Sequence, residues 1–153
     1  MSELFKDVTL LRNGTDETFK GEDVLKDKKV AIYFSAHWCG PCRSFTPMLK
    51  TLFEESTKGS NLIEIVFVSF DRSEEEMLSY IKDSHPDWLY LPFDHPFNGE
   101  KGKLAEKYGT NGIPCLKLIN PSGYENIEDL VGFVYEARSK ANVKLYKAWM
   151  DKE

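Results

Sequence analysis

The sequence predicts an α/β sandwich built on a mixed central sheet with helices on both faces, a three-layer α/β/α arrangement. Three observations carry this. Two apolar, β-branched runs, "KVAIYFS" from Lys29 and "LIEIVFVSF" from Leu62, read as strands buried on both faces. Helical patterns alternate with them. A strand–turn–strand pattern and a last helix follow near the C-terminus.

Val8 to Leu11 is a short strand candidate. Residues Asn13 to Lys28 are polar and turn-rich, with a short helix expected near Glu22 to Leu25. After the first buried run, Phe45, Met48, Leu49, Leu52 and Phe53 repeat at i, i+3, i+4, i+7 and i+8, which is one face of a helix. That helix should start at the cysteines before it, and Pro47 should kink it. After the second run, Ser73 with Glu76 three residues later is a capping-box signature for a helix over Glu74 to Ser84. His85-Pro86 ends it. The acidic run Glu74 to Glu76 complements the positive end of that helix. Trp88 to Phe93 reads as a short extended piece, and Lys101 to Tyr108 as a helix closed by Gly109. "CLKLIN" from Cys115 is a strand, Pro121-Ser122-Gly123 a turn, and Tyr124 to Gly132 a returning strand. From Glu136, Ala137, Ala141, Leu145, Ala148 and Trp149 predict a C-terminal helix.

At 153 residues, 41% of them hydrophobic, the chain suits one domain, 1–153, with a core that needs no disulfide staples. Net charge is −5 and no basic cluster exceeds a few residues, so neither nucleic acid nor a membrane surface is an expected partner. The opening "MSELFKDVTL" is interrupted by charges and reads as neither secretory signal nor membrane span. Three cysteines are few and odd in number, which favours a reducing compartment where a Cys pair is catalytic or metal-binding.

Two of them, in "FSAHWCGPCRSFTP", stand at the junction of the first buried strand and the helix after it. Cys39 closes the turn and Cys42 lies in the first helical turn, where Pro41 is tolerated because that N–H has no intrahelical partner. Unpaired N–H groups and the positive helix end face Cys39, favour its thiolate and push its pKa down. Cys42 should be the more buried thiol. An exposed thiolate can attack a substrate disulfide, and the second thiol can then resolve the mixed disulfide. The competing reading is half a zinc site, which needs two more ligands. Cys115, His37, His85 and His95 are the available types, but they form no recognisable second pair, so the expectation is no metal.

"WCGPC" at Trp38 to Cys42 resembles the thioredoxin active site. Together with "VFVSFDRSEEEM", "GIPCLKLINPSG" and the segment holding "DWLYLPF", it resembles the nucleoredoxin and tryparedoxin branch of the thioredoxin superfamily, over about Val8 to Gly132. The resemblance implies a thioredoxin fold and a protein-disulfide reductase in which Cys39 attacks and Cys42 resolves. It also implies a cis proline at Pro114 facing the cysteines, with Ile113 offering backbone hydrogen bonds to an extended substrate and Trp38 a flat apolar platform. Gly40 and Pro41 complete the substrate-facing surface. Catalysis of this kind needs no cofactor beyond the cysteine pair. Electrons come from an upstream reductant: thioredoxin reductase, glutathione or trypanothione. The expected protein is a monomer acting on disulfide-containing proteins in the cytoplasm, with the nucleus as a second location. The alternative is a redox-controlled binding module of nucleoredoxin type that holds a signalling partner.

Some positions depart from that pattern. Nucleoredoxins and tryparedoxins usually carry Pro-Pro where Gly40-Pro41 stands. The buried Asp of small thioredoxins is matched by Tyr33, and its lysine partner by Phe67. The group that deprotonates Cys42 is therefore open among Tyr33, a water and His37. His37 would stabilise the Cys39 thiolate if protonated and close; a solvated imidazole is the favoured reading. Cys115 stands where relatives usually have Thr. It is either a small apolar strand residue, the favoured reading, or a third thiol near the active pair. His85 and His95, each before a proline, are expected in loops. Arg43 is either a solvated helix position or a residue that steers acidic partners.

Overall fold

The computed structural model describes residues 4–57, 63–110, 112–119, 125–126, 131–132 and 134. In chain order they form β1 (Thr9–Arg12), β2 (Thr18–Lys20), α1 (Gly21–Val24), β3 (Lys29–Ser35), α2 (Gly40–Thr57) and β4 (Ile63–Ser69). Then come α3 (Glu74–Ser84), β5 (Leu89–Tyr90), α4 (Lys103–Tyr108), β6 (Cys115–Ile119) and β7 (Glu125–Asn126). The strands make one sheet in the order β2-β1-β5-β4-β3-β6-β7. β3 and β4 are parallel, with Lys29 opposite Ile63 and Ser35 opposite Ser69, and β5 is parallel to β4. β6 runs antiparallel to β3, placing Cys115 beside Phe34, and β1 runs antiparallel to β5. The sheet is mixed, as the sequence predicts.

β3 and β4 are mostly apolar because both faces of the sheet are covered. Val30, Ile32 and Phe34 face one core with Phe5, Leu10, Val66, Val68 and the α4 residues Leu104 and Ala105. Ala31 and Tyr33 face the other with Ile65 and Phe67, α2 residues Phe45, Leu49 and Phe53, and α3 residues Met77, Tyr80 and Ile81. The alternation follows the two-residue strand period. α2 continues through Pro47 as one helix. Ser73 caps α3 by accepting from the Glu76 N–H at 3.2 Å. Gly109 ends α4 at φ 61°, a left-handed conformation that a side chain disfavours.

Short strands were hardest to read. β2 and β5 have three and two residues, too few to show a period. The returning strand is shorter than expected: Glu125–Asn126 pair with β6, but Val131, Gly132 and Val134 are helical. Two β-branched residues beside a glycine imitate a strand when the covering helix is not in view. The Pro121-Ser122-Gly123 turn and the helix expected from Glu136 lie outside the described residues. Among the described residues no helix is long and apolar enough to cross a membrane.

Candidate active site

The parallel pair β3 and β4 ends together at Ser35 and Ser69, and the site is built on those two ends. From Ser35 the chain turns through Ala36 to Cys39, whose N–H bonds the Ala36 carbonyl at 3.3 Å, and enters α2 at Gly40. Cys39 and Cys42 are joined by a disulfide, with Cα atoms 5.2 Å apart. The Cys42 N–H donates to Cys39 Sγ at 3.2 Å. The sulfur thus occupies the role that a Ser or Asp oxygen plays at other helix starts. Once the bond is reduced, charge on Cys39 Sγ meets that N–H and the positive helix end. Cys39 is 6% exposed and Cys42 is fully buried, with Gly40 and Pro41 exposed between them.

The Ile113–Pro114 peptide is cis, and the Ile113 carbonyl oxygen lies 3.8 Å from Cys39 Sγ. Both residues are half-buried. Trp38 is 37% exposed. Its Nε1–H donates to the Phe70 carbonyl at 3.0 Å, and the Arg72 guanidinium stands 4.8 Å from its ring centroid. The segment after β4 therefore holds the indole by edge and by face. Asp71, between Phe70 and Arg72, turns inward. It accepts from the His37 N–H at 2.7 Å and from the Ser69 hydroxyl at 2.8 Å. Burial pushes its carboxyl above the usual range, and those two hydrogen bonds pull it back. The His37 ring packs against Tyr80, with centroids 5.9 Å apart.

Beneath Cys42 lies a cluster of buried hydroxyls. Tyr33 and Tyr80 both reach Thr46 Oγ1, at 2.7 and 2.5 Å, and Ser35 Oγ reaches the Tyr80 hydroxyl at 2.6 Å. Thr46 Oγ1 donates to the Cys42 carbonyl at 2.9 Å. A hydroxyl has one proton and two lone pairs, so these contacts fix every donor. Thr46 uses its proton on Cys42; both phenols donate to Thr46; Ser35 donates to Tyr80. Tyr33 is thus open to further partners only as an acceptor. Burial pushes its pKa well above the ordinary 10.0, and raises that of Tyr80 too, so both phenols stay neutral. Phe67 faces Tyr33 across the sheet pair, with ring centroids 6.2 Å apart. The two positions that the resemblance matches to an acid and a lysine thus hold a phenol and an apolar ring.

His85 lies in the loop that follows α3, as expected, but it is buried there. It is 5% exposed and packs against Tyr80 and Phe67, with centroids 4.4 and 4.6 Å away. Its Nδ1 accepts from Trp88 Nε1–H at 3.0 Å, and its Nε2 has no hydrogen-bond partner among the described residues. Burial lowers its pKa to about 3. His95 Nδ1 accepts from the Phe97 N–H at 3.1 Å. Cys115 is buried, carries no disulfide, and belongs to the same core cluster as Cys39 and Cys42. Among the described residues no three His, Cys, Asp or Glu side chains gather as a metal site.

The structure thus gathers Trp38, Cys39, Cys42, Ile113 and Pro114. Sequence reasoning missed Thr46, Tyr80, Asp71 and Arg72. Asp71 had a usable signal, an acid directly after a buried strand that ends beside the cysteines.

Comparison with known proteins agrees with this geometry. A family model described as thioredoxin-like matches residues 27–125. Zebrafish nucleoredoxin is 39% identical over 115 residues, 75% of this chain and 26% of that protein. Across the nucleoredoxins it matches, the chain spans about a third of their length or less. The thioredoxin of Wuchereria bancrofti superposes with a TM-score of 0.72 at 41% identity, covering 96% of both chains. Tryparedoxin from Trypanosoma brucei gives 0.73 at 30% identity, covering 90% of this chain and 91% of that one. The Cys39–Cys42 pair stands where a CxxC active site is expected, and the chain belongs to the thioredoxin-like family, related to nucleoredoxins and tryparedoxins.

Proposed function

We propose that this chain is a thiol–disulfide oxidoreductase that reduces protein disulfides. Cys39 thiolate attacks a substrate sulfur; the substrate S–S bond breaks, a Cys39–substrate disulfide forms, and the first substrate sulfur leaves and takes a proton. Cys42, losing its own proton, attacks Cys39 Sγ and releases the second substrate thiol. Two electrons and two protons pass to the substrate, and the Cys39–Cys42 disulfide remains. An upstream dithiol or glutathione-type thiol then reduces it. Trp38, Gly40, Pro41, Ile113 and Pro114 form the surface against which an extended substrate lies.

The observation that carries this reading is the hydrogen bond from the Cys42 N–H to Cys39 Sγ at the start of α2, beside the Ile113 carbonyl. It gives one sulfur a stabilised anion and an exposed neighbourhood, and leaves the other fully buried behind it. We take the protein to act in the cytoplasm, on the strength of its cysteine usage, and as a monomer. The test is reduction of insulin disulfides by dithiothreitol. Wild type should accelerate it and Cys39→Ser should not; no acceleration by wild type would refute the reading.

A further inference from the structure

We propose that Arg72 makes the site selective for disulfides flanked by a carboxylate, an Asp or Glu side chain a residue or two from the reacting cysteine. This rests on the disulfide-reductase reading above.

Arg72 is exposed and comes two residues after Phe70, whose carbonyl holds the Trp38 indole N–H at 3.0 Å. Its guanidinium lies 4.8 Å from the centroid of the same ring. Trp38 directly precedes Cys39, so the cation stands on the residue next to the attacking one in the chain. A guanidinium stacked on an aromatic ring keeps its N–H edges open, and those edges match a carboxylate.

The acids around it leave it available. Asp71 points inward to Ser69 Oγ and the His37 N–H. Glu74, Glu75 and Glu76 form the first turn of α3. Among the described residues no ion pair involves Arg72. Arg43, exposed in the first turn of α2, adds a second positive charge close to Cys42 in sequence. The chain as a whole is acidic, at −5. The Arg72 guanidinium on Trp38 is the group that would pair with an acidic segment against the general repulsion.

Three peptide disulfides that differ only in Asp, Asn or Lys next to the cysteine test this. With dithiothreitol as reductant, wild type should favour Asp over Lys in kcat/KM by about three- to tenfold at low salt, shrinking as salt rises. Arg72→Gln should bring the Asp-to-Lys ratio to about one, whatever loss common to all three peptides the altered Trp38 packing brings, and Arg72→Lys should keep most of the preference. An equal loss on all three peptides in Arg72→Gln would show a packing role for Trp38 and overturn the proposal. So would an active wild type without charge preference. A wild type inert toward all three would overturn the reductase reading and this proposal with it.

Discussion

Tyr33 and Thr46 are joined hydroxyl to hydroxyl at 2.7 Å, and the Thr46 hydroxyl donates its own hydrogen bond to the Cys42 carbonyl. Thr46→Val removes the acceptor for two buried phenols at once. Leaving each unsatisfied costs about 1–3 kcal/mol, so the variant should lose about 2–4 kcal/mol in urea unfolding. Tyr33→Phe removes one donor and should cost about 1 kcal/mol. In the double variant the losses should fall short of their sum, because both act on one cluster.

His85 gives stability a pH dependence with a definite sign. The folded state keeps the imidazole neutral down to about pH 3, whereas the unfolded chain takes up its proton near 6.5. Below 6.5 the unfolded state binds more protons, so stability falls as pH falls, until about pH 3. The loss from this group should reach about 2 kcal/mol by pH 5. Asp71, with its raised pKa, acts the opposite way: its folded state binds more protons above the ordinary 3.8. Subtracting the pH profile of His85→Gln from that of wild type cancels Asp71 and isolates the imidazole. A flat difference between pH 7 and 5 would contradict the assignment.

Glu64 is 1% exposed on β4 and meets two cations, Arg12 Nη2 at 2.7 Å and Lys28 Nζ at 3.2 Å. Arg12 Nη1 adds a second contact at 3.3 Å and also donates to the Asp87 carbonyl at 2.9 Å. The cluster ties β1 and the start of β3 to the sheet centre. Both cations are partly solvated, so Glu64→Gln should cost less than breaking a fully buried pair, about 1–3 kcal/mol in thermal or urea unfolding. The loss should persist at high salt, since a carboxylate so buried is poorly screened.

Much of this fold is legible in the sequence because its cues are local. β3 and β4 declare themselves as continuous apolar runs, α3 by Ser73 and Glu76, α4 by Gly109. The cysteine pair is legible for the same reason: strand end, turn and helix start are contiguous. The hydroxyl cluster is not, because Tyr33 and Ser35 come from β3, Thr46 from α2 and Tyr80 from α3, and only the packed sheet brings them together. Tyr33 apart, each of these residues alone reads as an ordinary strand or helix residue. The His85-Pro86 pair marks the helix end correctly, but nothing local to it shows that the ring is buried. Here Trp88 folds back three residues later, supplies an indole N–H and seals the ring in.

The division of labour between the two sulfurs is the central claim, and a trapped intermediate tests it most directly. Cys42→Ser, reduced and then mixed with a peptide disulfide, should hold the peptide on Cys39 as a stable mixed disulfide seen by mass spectrometry, and dithiothreitol should release it. Wild type should show only a transient adduct, and Cys39→Ser none. An adduct on Cys115, or none on Cys39 with its thiol confirmed reduced, would contradict the account.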